Sequence, residues 1–234
     1  MSRVRYWAVV PAAGVGRRMG GDIPKQYLSL NGRPVIEHTL ETLLACPRLD
    51  GVYVAVSPGD GWWPELSVAD NQRVVRVDGG AERCHSVLNV LQFMQSTSVA
   101  EDWVLVHDAA RPCLRQEDLN ALIDQLKDHP VGGMLGVPVR DTMKRTMEGN
   151  SVSETVARDG LWHAYTPQMF RLGILRQALE QAQAQGLAVT DDASAIELAG
   201  MVPLMVEGHD DNIKITRPND LVLAEFYLQQ QGEE

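Results

Sequence analysis

Cysteine is scarce in this sequence, and long hydrophobic runs are missing. The three cysteines, Cys46, Cys84 and Cys113, show no C-x-x-C spacing. An odd number without such spacing is typical of a protein in a reducing compartment, and it indicates neither a disulfide framework nor a metal-thiolate site. No apolar stretch reaches the about eighteen residues of a membrane helix, and the N-terminus shows no signal-peptide pattern. We therefore expect a cytoplasmic protein that does not bind a membrane.

Basic residues are too few to serve a polyanion. The 234-residue chain has 21 lysines and arginines against 31 aspartates and glutamates, a formal net charge of −10. This charge argues against a nucleic-acid backbone or an anionic membrane as a partner. An anionic small molecule would have to be held by local clusters of basic side chains. The length allows one large or two small domains, and we expect a single domain over residues 1–234.

Several common catalytic motifs are absent. The first glycine-rich loop has Gly14 and Gly16, but Met19 occupies the third glycine position of a G-x-G-x-x-G dinucleotide fingerprint. No Gly-Lys-Ser/Thr tripeptide of a P-loop occurs, and G-x-S-x-G and H-E-x-x-H are missing. His107-Asp108 alone is a weak indication of a metal phosphohydrolase. The sequence thus argues against a dehydrogenase, a P-loop kinase, a serine hydrolase and a zinc hydrolase.

What the sequence does contain is an alternation of short apolar runs with helical patterns. The apolar runs predict buried strands at Trp7–Val10, Val52–Val56, Val74–Val77, Trp103–Val106, Gly133–Val139 and Val202–Val206. Helical spacing predicts helices at 35–44, 82–94, 119–126, 172–184 and 193–199, and Pro218 opens a last one. Strands that are apolar throughout are typical of a parallel sheet covered on both faces. We therefore predict an α/β fold with a doubly wound, mainly parallel sheet.

The segment at about 140–168 breaks this alternation. Its polar, β-compatible stretches are separated by turn clusters at 148–150 and 158–160, and they comprise Met143–Met147, Ser153–Val156 and Leu161–Thr166. We predict hairpins that form a β-arm projecting from the sheet. Such an arm has too little apolar surface to be stable alone, so we expect it to pack on a second copy of the chain. The alternative is a disordered insertion, which Trp162 and Tyr165 argue against.

Small and basic residues follow several predicted strands. In the first such loop, Pro11 to Lys25, small residues let a phosphate reach main-chain N–H groups, and Arg17, Arg18 and Lys25 supply positive charge. Further loops of this kind are 79–86, 108–111, 140–144 and 211–214. Because the carboxyl ends of parallel strands meet at one edge of a sheet, we expect a single phosphate-handling site there. A glycine-rich surface turn with solvated arginines is the plain alternative for the first loop.

Asp108 is the natural magnesium ligand among these loops. Mg²⁺ takes one or two carboxylates together with substrate phosphates, and Asp108 comes just after a predicted buried strand. An ion pair between Asp108 and Arg111, three residues further on, explains the spacing almost as well.

A series of short motifs runs along nearly the whole chain. In order, they are Pro11-Ala12-Ala13-Gly14-x-Gly16-x-Arg18-Met19, Pro24-Lys25-Gln26-Tyr27, Gly79-Gly80-x-x-Arg83-x-x-Ser86, His107-Asp108-Ala109-Ala110-Arg111-Pro112, Val139-Arg140-Asp141-Thr142-Met143-Lys144, Leu161-Trp162-x-x-x-Thr166-Pro167-Gln168, Thr190-Asp191-Asp192-Ala193-Ser194 and Asn212-x-Lys214-x-Thr216. This series resembles the 2-C-methyl-D-erythritol 4-phosphate cytidylyltransferases, a family of the nucleotidyltransferase superfamily. The resemblance implies a Rossmann-like nucleotidyltransferase fold with a β-arm used for dimerisation. It also implies transfer of CMP from CTP to methylerythritol 4-phosphate, giving 4-diphosphocytidyl-2-C-methyl-D-erythritol and diphosphate in non-mevalonate isoprenoid precursor synthesis.

The resemblance also implies roles for individual residues. The residues with implied catalytic roles are Arg18, Lys25, Arg158 and Lys214. Those implied to bind the nucleotide are Pro11, Ala12, Ala13, Gly14, Gly16, Gly80, Arg83, Ser86, Asp108 and Ala109. Those implied to bind the acceptor are Arg111, Thr142, Arg158, Thr166, Thr190 and Lys214, with Thr142 and Arg158 supplied by the arm of a partner in a homodimer. Asp108 and Asp211 would hold Mg²⁺ or another divalent cation.

Other functions stay open on the residues alone. The acceptor could be another polyol phosphate such as ribitol 5-phosphate, or a sugar phosphate, and only the residues around the acceptor would distinguish these. A nucleotide-binding regulator without turnover would usually lack Arg18 or Lys25, and both are present. The transfer itself needs no general base, because a phosphate monoester with a second pKa of about 6 is already largely dianionic. The protein then has only to align the reactants and neutralise charge.

Overall fold

A central β-sheet carries helices on both of its faces. The computed structural model describes residues 3–14 and 23–233. Its strands are β1 (Tyr6–Pro11), β2 (Ser29–Leu30), β3 (Arg33–Pro34), β4 (Gly51–Val56), β5 (Val74–Asp78), β6 (Trp103–Val106), β7 (Gly132–Pro138), β8 (Met143–Thr146), β9 (Val152–Val156), β10 (Trp162–Arg171) and β11 (Leu204–Glu207). Its helices are α1 (Val35–Ala45), α2 (Arg83–Phe93), α3 (Gln116–Leu126), α4 (Leu172–Ala184), α5 (Asp192–Leu198) and α6 (Pro218–Glu233).

The main sheet is mixed but mostly parallel. Within the described residues it has seven strands in the order β11-β7-β10-β6-β1-β4-β5. β1 runs parallel to β4 and β6, β4 to β5, and β7 to β11. Among these seven strands only β10 is antiparallel, to both β6 and β7. The prediction of a doubly wound, mainly parallel sheet is confirmed.

The apolar strands are buried because each one presents alternate residues to opposite faces of the sheet. In β4, Val52, Val54 and Val56 join one buried cluster, whereas Tyr53 and Ala55 join another. Residues of α1 and α3 complete the first cluster, and residues of α2, α4 and α5 complete the second. Every residue of β4 and β6 is buried, which explains why these strands are apolar throughout.

The segment after the arm differs from the prediction. Leu161–Thr166 is not a strand of the arm, because Trp162–Arg171 forms one ten-residue strand, β10, between β6 and β7 of the main sheet. β10 contains Pro167, which lacks the N–H that a strand ladder needs. The pairing register with β7 shifts between positions 164 and 168, which accommodates the proline. The strand then continues into the core with Met169 and Phe170, both fully buried.

The β-arm is a single exposed hairpin. β8 and β9 pair antiparallel with each other and form a separate two-stranded sheet. Every residue of β8 is exposed, and Val156 is the one partly covered residue of β9. The hairpin is shorter than the predicted arm because the third predicted stretch belongs to the main sheet.

The end of the chain closes over the carboxyl edge of the sheet. A third apolar cluster joins α6 to the loops after β6 and β11 and includes Ala110, Cys113, Ile215 and Ala224. The N–H of Ile215 donates to the carbonyl of Ala110 at 2.8 Å, which holds the two loops together. No helix in residues 3–14 and 23–233 is long and apolar enough to cross a membrane.

Candidate functional site

A cleft of about 310 Å³ opens at the carboxyl ends of β1, β5 and β6. The predicted nucleotide-binding residues that line it are Pro11, Ala12, Ala13, Gly14, Gly80, Arg83, Ser86, Asp108 and Ala109. Lys25 and Lys214, predicted as catalytic, line it as well. Gly16 and Arg18 lie outside the described residues. The structure thus brings together at one edge of the sheet every predicted nucleotide-binding residue that it describes.

The walls of the cleft are closely packed where small residues meet. A Cβ on Gly79 would lie 2.3 Å from the Cβ of Ala13, and one on Gly80 would lie 2.5 Å from the Cβ of His85. The hydroxyl of Ser86 accepts a hydrogen bond from the N–H of Gly80 at 3.0 Å. A larger side chain at Gly79 would push the turn after β5 away from the loop after β1, and one at Gly80 would push it away from the start of α2. Small residues are therefore needed where this turn packs.

Asp108 lies among three basic side chains in the cleft. Its Oδ1 accepts a hydrogen bond from Nε of Arg83 at 2.9 Å, and its Oδ2 lies 2.7 Å from Nζ of Lys214 and 3.6 Å from Nε of Arg111. Burial alone would raise the pKa of Asp108, but the three cations together outweigh it and hold that pKa well below its usual range. The carboxylate is therefore ionised at any physiological pH.

Thr166 positions the backbone of Asp108 instead of lining the cleft. Its hydroxyl accepts a hydrogen bond from the N–H of Asp108 at 3.1 Å and lies 3.0 Å from Nδ1 of His107. Nε2 of His107 lies 3.0 Å from the carbonyl of Arg111, which can only accept, so Nε2 carries the proton and Nδ1 accepts from the threonine. Burial lowers the pKa of His107 to about 4, which keeps the ring neutral. Sequence reasoning predicted Thr166 as an acceptor-binding residue and missed this network.

Two lysines approach the cleft from opposite ends of the chain. Nζ of Lys25, in the short turn Lys25–Tyr27, donates to the carbonyl of Ile215 at 3.2 Å. Lys214, the neighbour of Ile215, reaches Asp108 as described above. This contact joins the first phosphate loop to the loop after β11, so both lysines face the same space.

Arg111 is buried beside the cleft and is not among its lining residues. Its Nη1 donates to the carbonyl of Asn212 at 2.6 Å, and its guanidinium lies 4.7 Å from the ring centre of Tyr165. Burial lowers the pKa of Arg111, although the nearby Asp108 opposes the shift. The structure therefore shows the Asp108–Arg111 pairing that spacing suggested, within a larger network.

The structure does not bring Asp211 to the cleft. Its carboxylate accepts hydrogen bonds from Nε of Arg115 at 2.8 Å and from Nε2 of Gln231 at 3.0 Å, and it is absent from the cleft lining. Arg115 precedes α3 and Gln231 lies in α6, so these partners hold the side chain on another side of the loop. The prediction that Asp211 shares a metal with Asp108 gains no support from this placement.

The remaining predicted acceptor residues lie on exposed segments. Thr142 and Arg158 are exposed at the base of the arm, where the guanidinium of Arg158 donates to the carbonyl of Arg140. Thr190 is exposed just before α5, and its N–H donates to Ser194. None of these three predicted residues is among the described residues that line the cleft of its own chain.

The cleft residues fit a divalent cation of the magnesium type. Asp108 offers an ionised oxygen ligand inside a cleft with room for phosphate oxygens, and Mg²⁺ prefers such a mixture of carboxylate and phosphate. Both oxygens of Asp108 now contact basic side chains. A bound cation would therefore have to displace Arg83 or Lys214 from Asp108. The negatively charged phosphates would attract the displaced basic side chain.

Comparisons with known proteins agree over almost the whole length of the chain. A family model described as 2-C-methyl-D-erythritol 4-phosphate cytidylyltransferase matches residues 6–230. A protein of that name from Hahella chejuensis is 54% identical over 228 residues, covering 97% of this chain and 95% of the relative. One from Vibrio parahaemolyticus is 55% identical over 221 residues, covering 94% of each chain. The crystal structure of the Francisella tularensis protein of that name superposes with a TM-score of 0.84 at 37% identity and covers 95% of this chain and 99% of its own.

Proposed function

The chain belongs to the 2-C-methyl-D-erythritol 4-phosphate cytidylyltransferase family, and on that premise we propose that its cleft transfers CMP from CTP to methylerythritol 4-phosphate. The products are 4-diphosphocytidyl-2-C-methyl-D-erythritol and diphosphate, for the synthesis of isoprenoid precursors. The observation that carries the proposal is the convergence of Asp108, Lys25 and Lys214 on one narrow cleft. Free thiols at all three cysteines fit a reducing compartment, and we place the protein in the cytoplasm.

For this reaction the chain has to align the reactants and to neutralise negative charge. The attacking oxygen belongs to a phosphate monoester that is already largely dianionic, so no side chain has to remove a proton. The two lysines at the cleft neutralise negative charge as it grows around the α-phosphorus, an effect that is strongest in the transition state. Main-chain groups at 12–14 and the turn at 79–80 would hold the cytosine base, since small residues pack closely there. Arg18 keeps the catalytic role that the resemblance implies.

Mg²⁺ belongs to the proposal as the cofactor of this site. Asp108 would hold it, and when bound the ion draws the phosphates together and screens their charge. The buried His107–Thr166 network fixes the backbone of Asp108, so the carboxylate stays aimed into the cleft. Asp211 would need a different side-chain orientation to take part.

A homodimer would complete the acceptor site. Thr142 and Arg158 are exposed on the arm and lie outside the cleft of their own chain. The hairpin has little apolar surface of its own, and Met147 and Val152 are 62% and 59% exposed on it. We therefore propose that each arm packs on a partner and supplies Thr142 and Arg158 to the partner's cleft. A two-fold axis would repeat this exchange, so that both active sites are completed in the same way.

The proposed reaction can be tested by diphosphate release from each of the four nucleoside triphosphates, with and without methylerythritol 4-phosphate. We expect diphosphate release with CTP and not with ATP or GTP, because a purine would need the turn at 79–80 to open. We also expect release only when the acceptor is present, because the acceptor supplies the attacking oxygen. Comparable kcat/KM with ATP would contradict the cytidylyl assignment. Release that is faster with ribitol 5-phosphate would keep the chemistry and change the acceptor, and no release with any pair would favour a nucleotide-binding regulator.

A further inference from the structure

A buried carboxylate, Asp192, lies behind the wall of the cleft. Its side chain has no exposed surface, and it is not among the residues that line the cleft. Its Oδ2 accepts a hydrogen bond from Nη2 of Arg83 at 2.8 Å. Its Oδ1 is buried without a hydrogen-bond partner in the part of the chain that the structure describes. A buried carboxylate that uses one oxygen costs stability, so its contact with Arg83 calls for an explanation beyond packing.

The position of Asp192 is fixed from two sides. The preceding residue, Asp191, caps α5 by accepting from the N–H of Ser194 at 2.9 Å. Gln168 of β10 then holds the start of the helix to the sheet, since its Nε2 donates to Asp191 at 2.8 Å and its Oε1 accepts from the N–H of Ala193 at 2.8 Å. The backbone of Asp192 is thus held on both sides, because its neighbours Asp191 and Ala193 are both hydrogen-bonded to Gln168.

Arg83 bridges this carboxylate and Asp108. Its Nη2 contacts Asp192 while its Nε contacts Asp108, so one planar guanidinium holds two carboxylates about the same distance away, at 2.8 and 2.9 Å. Asp108 has two further cations, Lys214 and Arg111, close to its other oxygen. An entering triphosphate competes for these cations. If Asp108 were the sole anchor of Arg83, the guanidinium would follow the phosphates or move whenever Asp108 changed partners.

We propose that Asp192 is a positioning residue that holds Arg83 at the cleft wall, so that Asp108 can release Arg83 when nucleotide binds. The inference rests on the proposed function, because it needs a nucleotide in the cleft. Asp192 touches neither the nucleotide nor the reacting atoms and acts only through Arg83. In this arrangement the fixed counter-charge keeps the guanidinium in place while Asp108 becomes available to the substrate side.

The test is the affinity for CTP of the full-length Asp192→Asn protein, measured by titration calorimetry at a fixed Mg²⁺ concentration. The substitution keeps the shape and removes one negative charge. On charge alone, an anionic nucleotide should bind more tightly to this variant. Loss of the Arg83 position predicts the opposite, a Kd for CTP raised roughly tenfold. A Kd equal to or below that of the wild type overturns the proposal.

A double-mutant cycle shows whether Asp192 acts through Arg83. We expect Arg83→Gln to weaken CTP binding at least as much, and the double variant Arg83→Gln/Asp192→Asn to bind like Arg83→Gln alone. Additive losses overturn the proposal. The matched control is Asp102→Asn, which removes another fully buried aspartate that pairs with an arginine, Arg5 at 3.0 Å, remote from the cleft. It should lower the melting temperature and leave the Kd for CTP unchanged.

Two further results keep the test decisive. If Asp192→Asn does not fold, Arg83→Lys replaces it, because a lysine keeps the charge but cannot bridge two carboxylates, and its Kd should rise by a similar factor. Wild-type affinity in that variant overturns the proposal. Failure of the proposed function would show itself differently, as a wild-type protein that does not bind CTP. If the wild type binds CTP and Asp192→Asn has the same Kd for CTP, the positioning role is wrong and the proposed function still stands.

Discussion

The cleft and the β-arm hold their charged residues in opposite ways. In the cleft, Asp108 is 6% exposed and contacts three basic side chains. On the arm, Arg145 and Glu154 form an ion pair at 2.6 Å between side chains that are 64% and 57% exposed. An exposed pair of this kind adds little to stability, whereas the buried network fixes its members in one geometry. The cleft network is therefore organised within one chain, whereas the arm presents exposed side chains to the partner surface that we propose.

This contrast predicts where a substitution changes activity and where it changes stability. A residue of the cleft network serves both, since its partners depend on it. In the proposed dimer, a residue of the arm serves the activity of the partner's site without serving the fold of its own chain.

Lys25→Met should abolish turnover while CTP binding weakens modestly. The charge of Lys25 matters most when negative charge grows in the transition state, so kcat should fall about 100- to 1,000-fold. Steady-state kinetics with both substrates measures this, and Lys127→Met, at an exposed lysine after α3, serves as the control. A near-normal kcat in Lys25→Met would remove that lysine from the transition state.

Arg158→Ala should lower kcat/KM for the acceptor about 100-fold without changing the melting temperature. The side chain is exposed and supports no buried group of its own chain, so the fold does not need it. The control is Arg145→Ala in the same hairpin, which removes a surface ion pair and should leave kcat/KM within about threefold. Equal losses in the two variants would mean that the arm acts through its general charge.

His107 should make the free energy of unfolding depend on pH. Burial lowers its pKa from 6.5 to about 4, so the unfolded chain binds the proton more readily between those values. Stability is then complete above pH 6.5 and falls by about 3 kcal/mol as the pH drops to 4. Denaturant unfolding across this range measures the slope, which His107→Gln should flatten. An unchanged slope in that variant would assign the dependence to other groups.

Gly80→Ala should destabilise the turn that narrows the cleft, by about 1–3 kcal/mol. The added Cβ would meet the Cβ of His85 at 2.5 Å, so the turn would have to shift away from the start of α2. KM for CTP should rise as well. Gly61→Ala is the matched control, because its added Cβ would meet no atom within 4 Å. If both variants unfold and bind alike, the close packing at Gly80 does not shape the site.

The strands and the nucleotide side of the cleft could be predicted from the sequence because both depend on local patterns. Continuous apolar runs such as 52–56 predict strands buried on two faces. The family resemblance assigned the small residues at 11–14 and 80 to the nucleotide-binding side of the cleft. The fold, the family and the function predicted in this way are confirmed. The assigned roles of single residues in the site remain predictions.

What the sequence could not give depends on partners far along the chain. Asp211 turns away from the cleft because Arg115, 96 residues earlier, binds its carboxylate. Thr166 is buried behind Asp108 because β10 continues past Pro167 into the main sheet, which no local pattern indicates. Asp192 belongs to the site only through Arg83, 109 residues before it. No periodicity or motif spacing encodes these long-range pairings.

The most direct test of the contrast mixes two strongly impaired proteins, Lys25→Ala from the cleft and Arg158→Ala from the arm. If each active site combines the cleft of one chain with the arm of the other, unfolding them together and refolding the mixture should restore activity. Random pairing makes about half the dimers mixed, and one of their two sites is intact, so roughly a quarter of wild-type activity should return. A mixture as inactive as its parents, with mixed dimers shown to be present, would contradict the shared site.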